Sequence, residues 1–286
     1  MAITGGWRLR IKHVTGFTYA GTAYASYNEA RMTPLAEPGQ TTLFSQLECV
    51  PGAMTWRYRD YWGTQVTVFD LQRPHHQLTV TASSLVETAR RPTEPGVGDV
   101  DWAALRAEST VDTYLEFLTP TELTTVDGEL VAAATEIAAR TSPAEAAVTI
   151  AEWVRERVAY VPGSTGVRTS AREAWALRKG VCQDIAQLTA GMLRSVGIPA
   201  RYVSGYLYPR TEAAIGDTVA GQSHAWVEWW TGAWIGYDPT NGTPVENRHV
   251  IVARGRDYTD VTPLKGVYHG APSTEHGVTV EITRLA

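Results

Sequence analysis

Ser223-His224-Ala225-Trp226-Val227-Glu228-Trp229-Trp230-Thr231-Gly232-Ala233-Trp234-Ile235-Gly236-Tyr237-Asp238-Pro239 is the stretch on which the reading of this chain turns. Alternation puts His224, Trp226 and Glu228 on one face of a strand, and Ala225, Val227 and Trp229 on the other. Trp230-Thr231-Gly232 suits a three-residue hairpin loop with its glycine at the left-handed position. That loop pairs Trp229 with Ala233, and the same register carries His224 to face Asp238. A carboxylate and an imidazole placed in this way lie within hydrogen-bonding reach. A loop one residue shorter would turn Asp238 to the other face, so the register is a testable expectation.

Upstream, Lys179-Gly180-Val181 precedes a helical pattern that starts near Cys182 and carries Ile185, Leu188, Met192, Leu193 and Val196 on one stripe. It stops at Gly197, with Pro199 beyond. Most lone cysteines are small buried hydrophobes. Cys182 instead sits before the apolar stripe, at a turn, where free N–H groups and the helix dipole favour a thiolate. Asp184 in the first turn opposes this in part, so a nearby imidazolium is required. Cys182, His224 and Asp238 then make a nucleophile, a general base and an orienter.

The first ninety residues read as short strands broken by turns. Trp7, Leu9 and Ile11 alternate with Arg8, Arg10 and Lys12, and similar runs lie at 43–50, 55–61, 65–69 and 77–86. Asp60-Tyr61-Trp62-Gly63-Thr64 is a turn between two of them. A β-sandwich-like domain over 1–90 is expected, then a Pro/Gly-containing linker over 91–100. Helices follow: Ser142-Pro143-Ala144-Glu145 and Ser170-Ala171-Arg172-Glu173 are capping boxes, the second opening a helix expected to end at Gly180. The fold class is α+β, with a catalytic domain over 101–286 made of helices packed on an antiparallel sheet.

Composition narrows the function. The 286 residues carry 25 Lys and Arg against 30 Asp and Glu, a net charge of −5 with no basic run, so a nucleic-acid footprint is absent. The longest uninterrupted apolar run, 130–134, is far short of a membrane span, which needs about 18 residues. No charged segment followed by an apolar one opens the chain, and a cytoplasmic protein is expected. Two cysteines, Cys49 and Cys182, exclude a CxxC-type metal cluster and make a disulfide scaffold unnecessary. No metal or cofactor is expected, and the oligomeric state is open.

Gly180-Val181-Cys182-Gln183-Asp184, Ser223-His224-Ala225-Trp226-Val227-Glu228 and Tyr237-Asp238-Pro239-Thr240-Asn241 resemble, in the same order, the motifs of the transglutaminase-like superfamily of papain-type folds. Gly197-Ile198-Pro199-Ala200-Arg201-Tyr202 matches that family's passage from helix to strand. The segments 7–14 and 60–69 resemble the β-rich N-terminal domain of its bacterial two-domain branch, and 253–258 its C-terminal extension. The resemblance implies Cys182 as nucleophile, His224 as base and Asp238 as orienter. It implies a cysteine peptidase or amidase acting on peptide or isopeptide-like amides through a thioester, with water as the favoured acceptor. The alternatives are a protein-glutamine transglutaminase, which passes the acyl group to an amine, and a noncatalytic peptide-binding module. No segment resembles an acidic calcium-binding loop, so calcium dependence is not expected.

An oxyanion hole needs two donors, and the Cys182 backbone N–H is a natural first. Tyr160 and Gln183 are candidates for the second, though each reads equally well as a packed tyrosine and a solvated helix residue. Trp226, Trp229, Trp230 and Trp234 crowd the hairpin, most of them as core, with Trp226 a candidate wall of the substrate cleft. The arginines of 254–257 are read as a salt-bridge network rather than a carboxylate clamp. Cys49 is read as buried and inert, and His75 and His76 as surface residues.

Overall fold

The computed structural model describes residues 5–89, 100–221, 223–275 and 277–286. The first five strands are β1 (Trp7–Ala30), β2 (Gln40–Val50), β3 (Thr55–Arg59), β4 (Gln65–Leu71) and β5 (His75–Thr88). A helical stretch follows with α1 (Trp102–Arg106), α2 (Glu108–Leu118), α3 (Gly128–Ala138), α4 (Pro143–Arg157), β6 (Ala159–Tyr160), α5 (Ala171–Leu177), β7 (Lys179–Gly180) and α6 (Cys182–Ser195). Then come β8 (Ala200–Leu207), β9 (Thr218–Gly221), β10 (Ser223–Trp230), β11 (Trp234–Asp238), β12 (Thr243–Pro244) and β13 (His249–Gly255). The last elements are α7 (Tyr258–Val261), β14 (Leu264–Gly270), β15 (Ser273–Glu275) and β16 (Thr279–Arg284).

The β-rich N-terminal region is one curled antiparallel sheet organised by the 24-residue β1. Along one edge of β1 lie β5 and then β4; along the other lie β16, β15 and β14. Alternation explains its faces: Leu9 and Ile11 are buried while Arg10 and Lys12, each the next residue along, are exposed. Strands β14 to β16 fall within the expected 101–286 catalytic domain with its C-terminal extension. They complete the N-terminal sheet instead, because β1 presents a free second edge that only a distant segment can pair. Of the linker expected at 91–100, all but Val100 lies outside the described residues.

The second sheet is antiparallel in the order β12-β11-β10-β8-β13. Helix α6 packs on β8 and β10, with α3, α4 and α5 around it. Ile185, Leu188, Met192 and Leu193 are buried on α6, and each contributes about 1.5–3 kcal/mol relative to exposure. Both capping boxes form: Ser142 with Glu145 starts α4, and Ser170 with Glu173 starts α5. Helix α5 stops at Leu177, short of Gly180, as Arg178 turns left-handed (φ 53°) over Trp175. Lys179 and Gly180 are thereby released to pair, in parallel, with Ala159 and Tyr160. Among the described residues no helix is long and apolar enough to cross a membrane.

His75, expected at the surface, is buried edge-on against Tyr19, with Nδ1 bonded to the Arg73 carbonyl at 2.8 Å. Cys49 is buried, and burial pushes its thiol up.

Candidate active site

Helix α6 begins at Cys182 because Val181 before it is extended (φ −116°) and Asp184 reaches back to cap the turn. Asp184 Oδ2 accepts the Val181 N–H at 2.8 Å and the Thr165 hydroxyl at 2.6 Å. Burial pushes the Asp184 carboxyl up despite these bonds. The residue expected to oppose a thiolate is thus turned back into the helix start. Gly180 is required there: a Cβ on it would lie 2.7 Å from Asp184 Cβ and Oδ2. As first-turn groups, the N–H donors of Cys182 and Gln183 have no intrahelical acceptor. Cys182 itself is half-buried and lines the cleft.

The hairpin brings the other two residues in, although not in the expected register. Trp230 pairs with Trp234 and Glu228 with Gly236, so the loop is Thr231-Gly232-Ala233, displaced by one residue, and Gly232 (φ 110°) is at its centre. The cause lies outside the hairpin. Tyr114 of α2 packs against both Trp230 and Trp234, with ring centroids at 4.7 and 5.7 Å, which holds these two as a cross-strand pair. The shift moves every partner by two positions and so preserves the face. His224 and Asp238 meet as diagonal neighbours, with Nε2 2.7 Å from Oδ2.

Asp238 is fully buried and accepts hydrogen bonds from every side. Besides His224, its Oδ2 accepts from Asn241 Nδ2 at 2.6 Å and His249 Nε2 at 3.3 Å. Its Oδ1 accepts from the Thr240 and Asn241 N–H groups at 3.0 and 3.1 Å. Burial disfavours the charge, but the imidazole and Asn241 donors hold the carboxyl far below the usual range. His249 has a defined tautomer: the Glu246 N–H donates to its Nδ1 at 3.1 Å, leaving the proton on Nε2. Burial pushes His249 down, and the charge on His224 does so further.

The same carboxylate acts oppositely on His224. Burial works against the imidazolium, but the bond to Asp238 and the neighbouring Cys182 outweigh it and raise the ring to about 10. With Nε2 taken by Asp238, Nδ1 is the nitrogen left for the thiol. The arrangement stabilises an imidazolium beside the sulfur and fixes its plane.

Cys182 and His224 share a cleft of about 350 Å³. Tyr160 is half-exposed at the cleft, where burial, with Cys182 and Asp238 nearby, pushes its hydroxyl up. Gln183 lines the cleft, but its amide already donates to the Val167 carbonyl at 3.1 Å. Trp226 is not at the cleft. It is fully buried with Leu35, Val203 and Ile251, edge-on to His249, because its face of β10 turns inward beyond His224. Arg254 is likewise outside the cleft: it bonds Glu228 at 2.8 Å and Glu37 at 2.9 Å, while Arg201 bonds Glu228 at 2.6 Å. Sequence reasoning missed Asn241 and His249 as partners of Asp238. Asn241 lies within a quoted motif and was within reach. His249 comes from β13, across the sheet, and had no local signal.

Residues 131–239 match the transglutaminase-like superfamily, and residues 9–87 match the bacterial transglutaminase-like N-terminal region. An uncharacterized protein of Mycobacterium leprae is 48% identical over 280 residues, covering 98% of this chain and all (100%) of that protein. A protein-glutamine gamma-glutamyltransferase of Pseudomonas aeruginosa is 34% identical over 104 residues, 33% of this chain and 16% of that protein. The crystal structure of a candidate cysteine protease from Cytophaga hutchinsonii has the same fold, with a TM-score of 0.78 at 21% identity, covering 99% of this chain and 92% of that one.

Proposed function

The chain belongs to the transglutaminase-like superfamily, with a bacterial transglutaminase-like N-terminal region, and from that premise we propose that it is a cysteine peptidase or amidase working through a Cys182 thioester. The observation that carries this reading is the His224 imidazole, bonded to buried Asp238 at 2.7 Å and lining the same open cleft as Cys182. The Cys182 sulfur attacks the carbonyl carbon of the amide, forming a C–S bond and an oxyanion, which the first-turn N–H of Cys182 is placed to receive. His224 then gives its Nδ1 proton to the leaving nitrogen, the C–N bond breaks, and the amine departs. Water enters, His224 takes its proton, and the hydroxide adds to the thioester. Collapse expels the thiolate and releases the acid.

Asp238 keeps one ring orientation throughout and balances the charge on His224. Cys49 and Cys182 are both free thiols, which fits a reducing cytoplasm as the proposed location. The test is iodoacetamide labelling at neutral pH, localised by mass spectrometry, with Cys49 as internal control. Fast labelling at Cys182 that is lost in His224→Ala is expected. Equal, slow labelling in both proteins would overturn the reading. Where turnover is found, an added primary amine separates hydrolysis from transfer: persistent acid product supports the peptidase, and amide product supports the transglutaminase alternative.

A further inference from the structure

The cleft has two sides, and the second comes from the N-terminal sheet. His13 and Thr15 of β1, with Leu264 of β14 and Val278 just before β16, lie opposite the elements that carry Cys182 and His224. His13 continues the buried face of Leu9 and Ile11 and is 2% exposed. Its Nδ1 lies 3.0 Å from the Tyr206 hydroxyl of β8, a bond that joins the two sheets. Among the described residues its Nε2 has no hydrogen-bond partner. A polar atom left unpaired on a nine-tenths-buried ring, in the lining of a reactive cleft, marks a place for a ligand atom.

The chemistry of that atom follows from the tautomer. The Tyr206 phenol, buried and pushed up by burial, keeps its proton and needs an acceptor, which Nδ1 supplies. The His13 proton is then on Nε2, the ring nitrogen that has no partner among the described residues, on a residue that lines the cleft. Burial pushes His13 down to about 4, so the ring is a neutral donor at ordinary pH. Among the described residues lining the cleft there is no Lys, Arg, Asp or Glu, and Tyr258, Pro263, Leu264 and Val278 supply apolar surface beside the donor.

We propose that His13 Nε2–H is the recognition group of a substrate subsite that takes an uncharged carbonyl oxygen, that of a peptide bond or a side-chain carboxamide. The assignment rests on the acyl-transfer reading of the cleft and narrows it to neutral amide substrates. It also gives the N-terminal sheet a role, as the wall that reads the substrate while the second sheet does the chemistry.

The experiment is a titration of the full-length Cys182→Ala protein, with histidine labelled in 15N, using N-acetyl-diglycine amide as probe. The expected result is a protonated Nε2 on His13 whose shift moves and saturates with the amide, while N-acetyl-diglycine carboxylate binds more weakly. The double variant H13F/Y206F removes donor and phenol together, so no hydroxyl is left unpaired. It should bind the amide roughly fivefold to tenfold more weakly, and His13→Gln, whose amide nitrogen reaches the Nε2 position, should recover the affinity. A proton found on Nδ1, no binding of the amide, equal affinity in the double variant, or a preference for the carboxylate would each overturn the proposal. Iodoacetamide labelling of the Cys182-bearing protein runs beside it. An unreactive sulfur with an intact His13 shift overturns the acyl-transfer reading and leaves the subsite standing.

Discussion

Asp238 and Glu228 are both fully buried carboxylates, on adjoining strands of one sheet, and both are held ionised below their ordinary range. Burial disfavours the charge at each. Glu228 is held down to about 2 by the guanidinium groups of Arg254 and Arg201. Asp238 is held by two imidazoles, an amide side chain and two backbone N–H groups. Guanidinium never gives up its proton in a protein, whereas an imidazole can, even one raised to about 10 as at His224. One end of the hairpin is therefore a fixed lattice of charge, and the other is a lattice through which a proton can pass. The same sheet makes a clamp and a catalyst by the choice of partner.

Exchanging each acid for its amide should separate the two roles. Asp238→Asn presents a donor where His224 needs an acceptor and should lower steady-state amide hydrolysis by roughly 10⁴-fold while the fold survives. Loss of folding by circular dichroism, or a fall under tenfold in rate, would erase the distinction. Glu228→Gln should do the reverse. Arg201 and Arg254 lose a shared buried counter-charge, and the urea midpoint should report about 3–5 kcal/mol of lost stability. Cys182 labelling in the folded fraction should stay at the wild-type rate.

Stability against pH sharpens the contrast. The value of His224 is raised from 6.5 to about 10, so its contribution is complete below 6.5 and is lost as pH rises through about 10. That of Glu228 is lowered from 4.5 to about 2, so its contribution is complete above 4.5 and is lost as pH falls through about 2. Urea midpoints measured across pH should lose their alkaline decline in His224→Gln and part of their acid decline in Glu228→Gln. The smallest expected effect is that of Asn241→Ala, which removes one of five donors to Asp238. About a tenfold fall in hydrolysis, equivalent to ~1.4 kcal/mol, is expected, and an unchanged rate would show that the remaining donors suffice.

What the sequence disclosed follows the range of the forces involved. The capping boxes at Ser142 and Ser170, the stop at Gly197 and the Asp60 turn are made within a few residues, and each is present where expected. That His224 and Asp238 share a face was legible because strand parity is local and a two-position shift in pairing preserves it. The register itself was not legible, since Tyr114, more than a hundred residues upstream, decides which tryptophans pair. The pairing of β14, β15 and β16 with β1 has the same character. His13 stands between these cases. Its place on the odd-numbered face of β1 extends the alternation of Leu9 and Ile11, but only the meeting of two sheets shows that this face reaches the cleft.

The pairing of β1 with β14, β15 and β16 also sets an order of events in the making of the protein. Cys182, His224 and Asp238 are all synthesised before residue 264, yet the wall opposite them waits for Leu264, Val278 and the strand that seats on Leu9 to Val14. A nascent chain still threaded in the ribosome exit tunnel by these residues holds the reacting groups without the surface that would align a substrate. Closure of β1 against β16 spans almost the whole sequence and is among the slowest contacts to form. Alignment of a substrate therefore waits on strands β14 to β16, not on the residues that react.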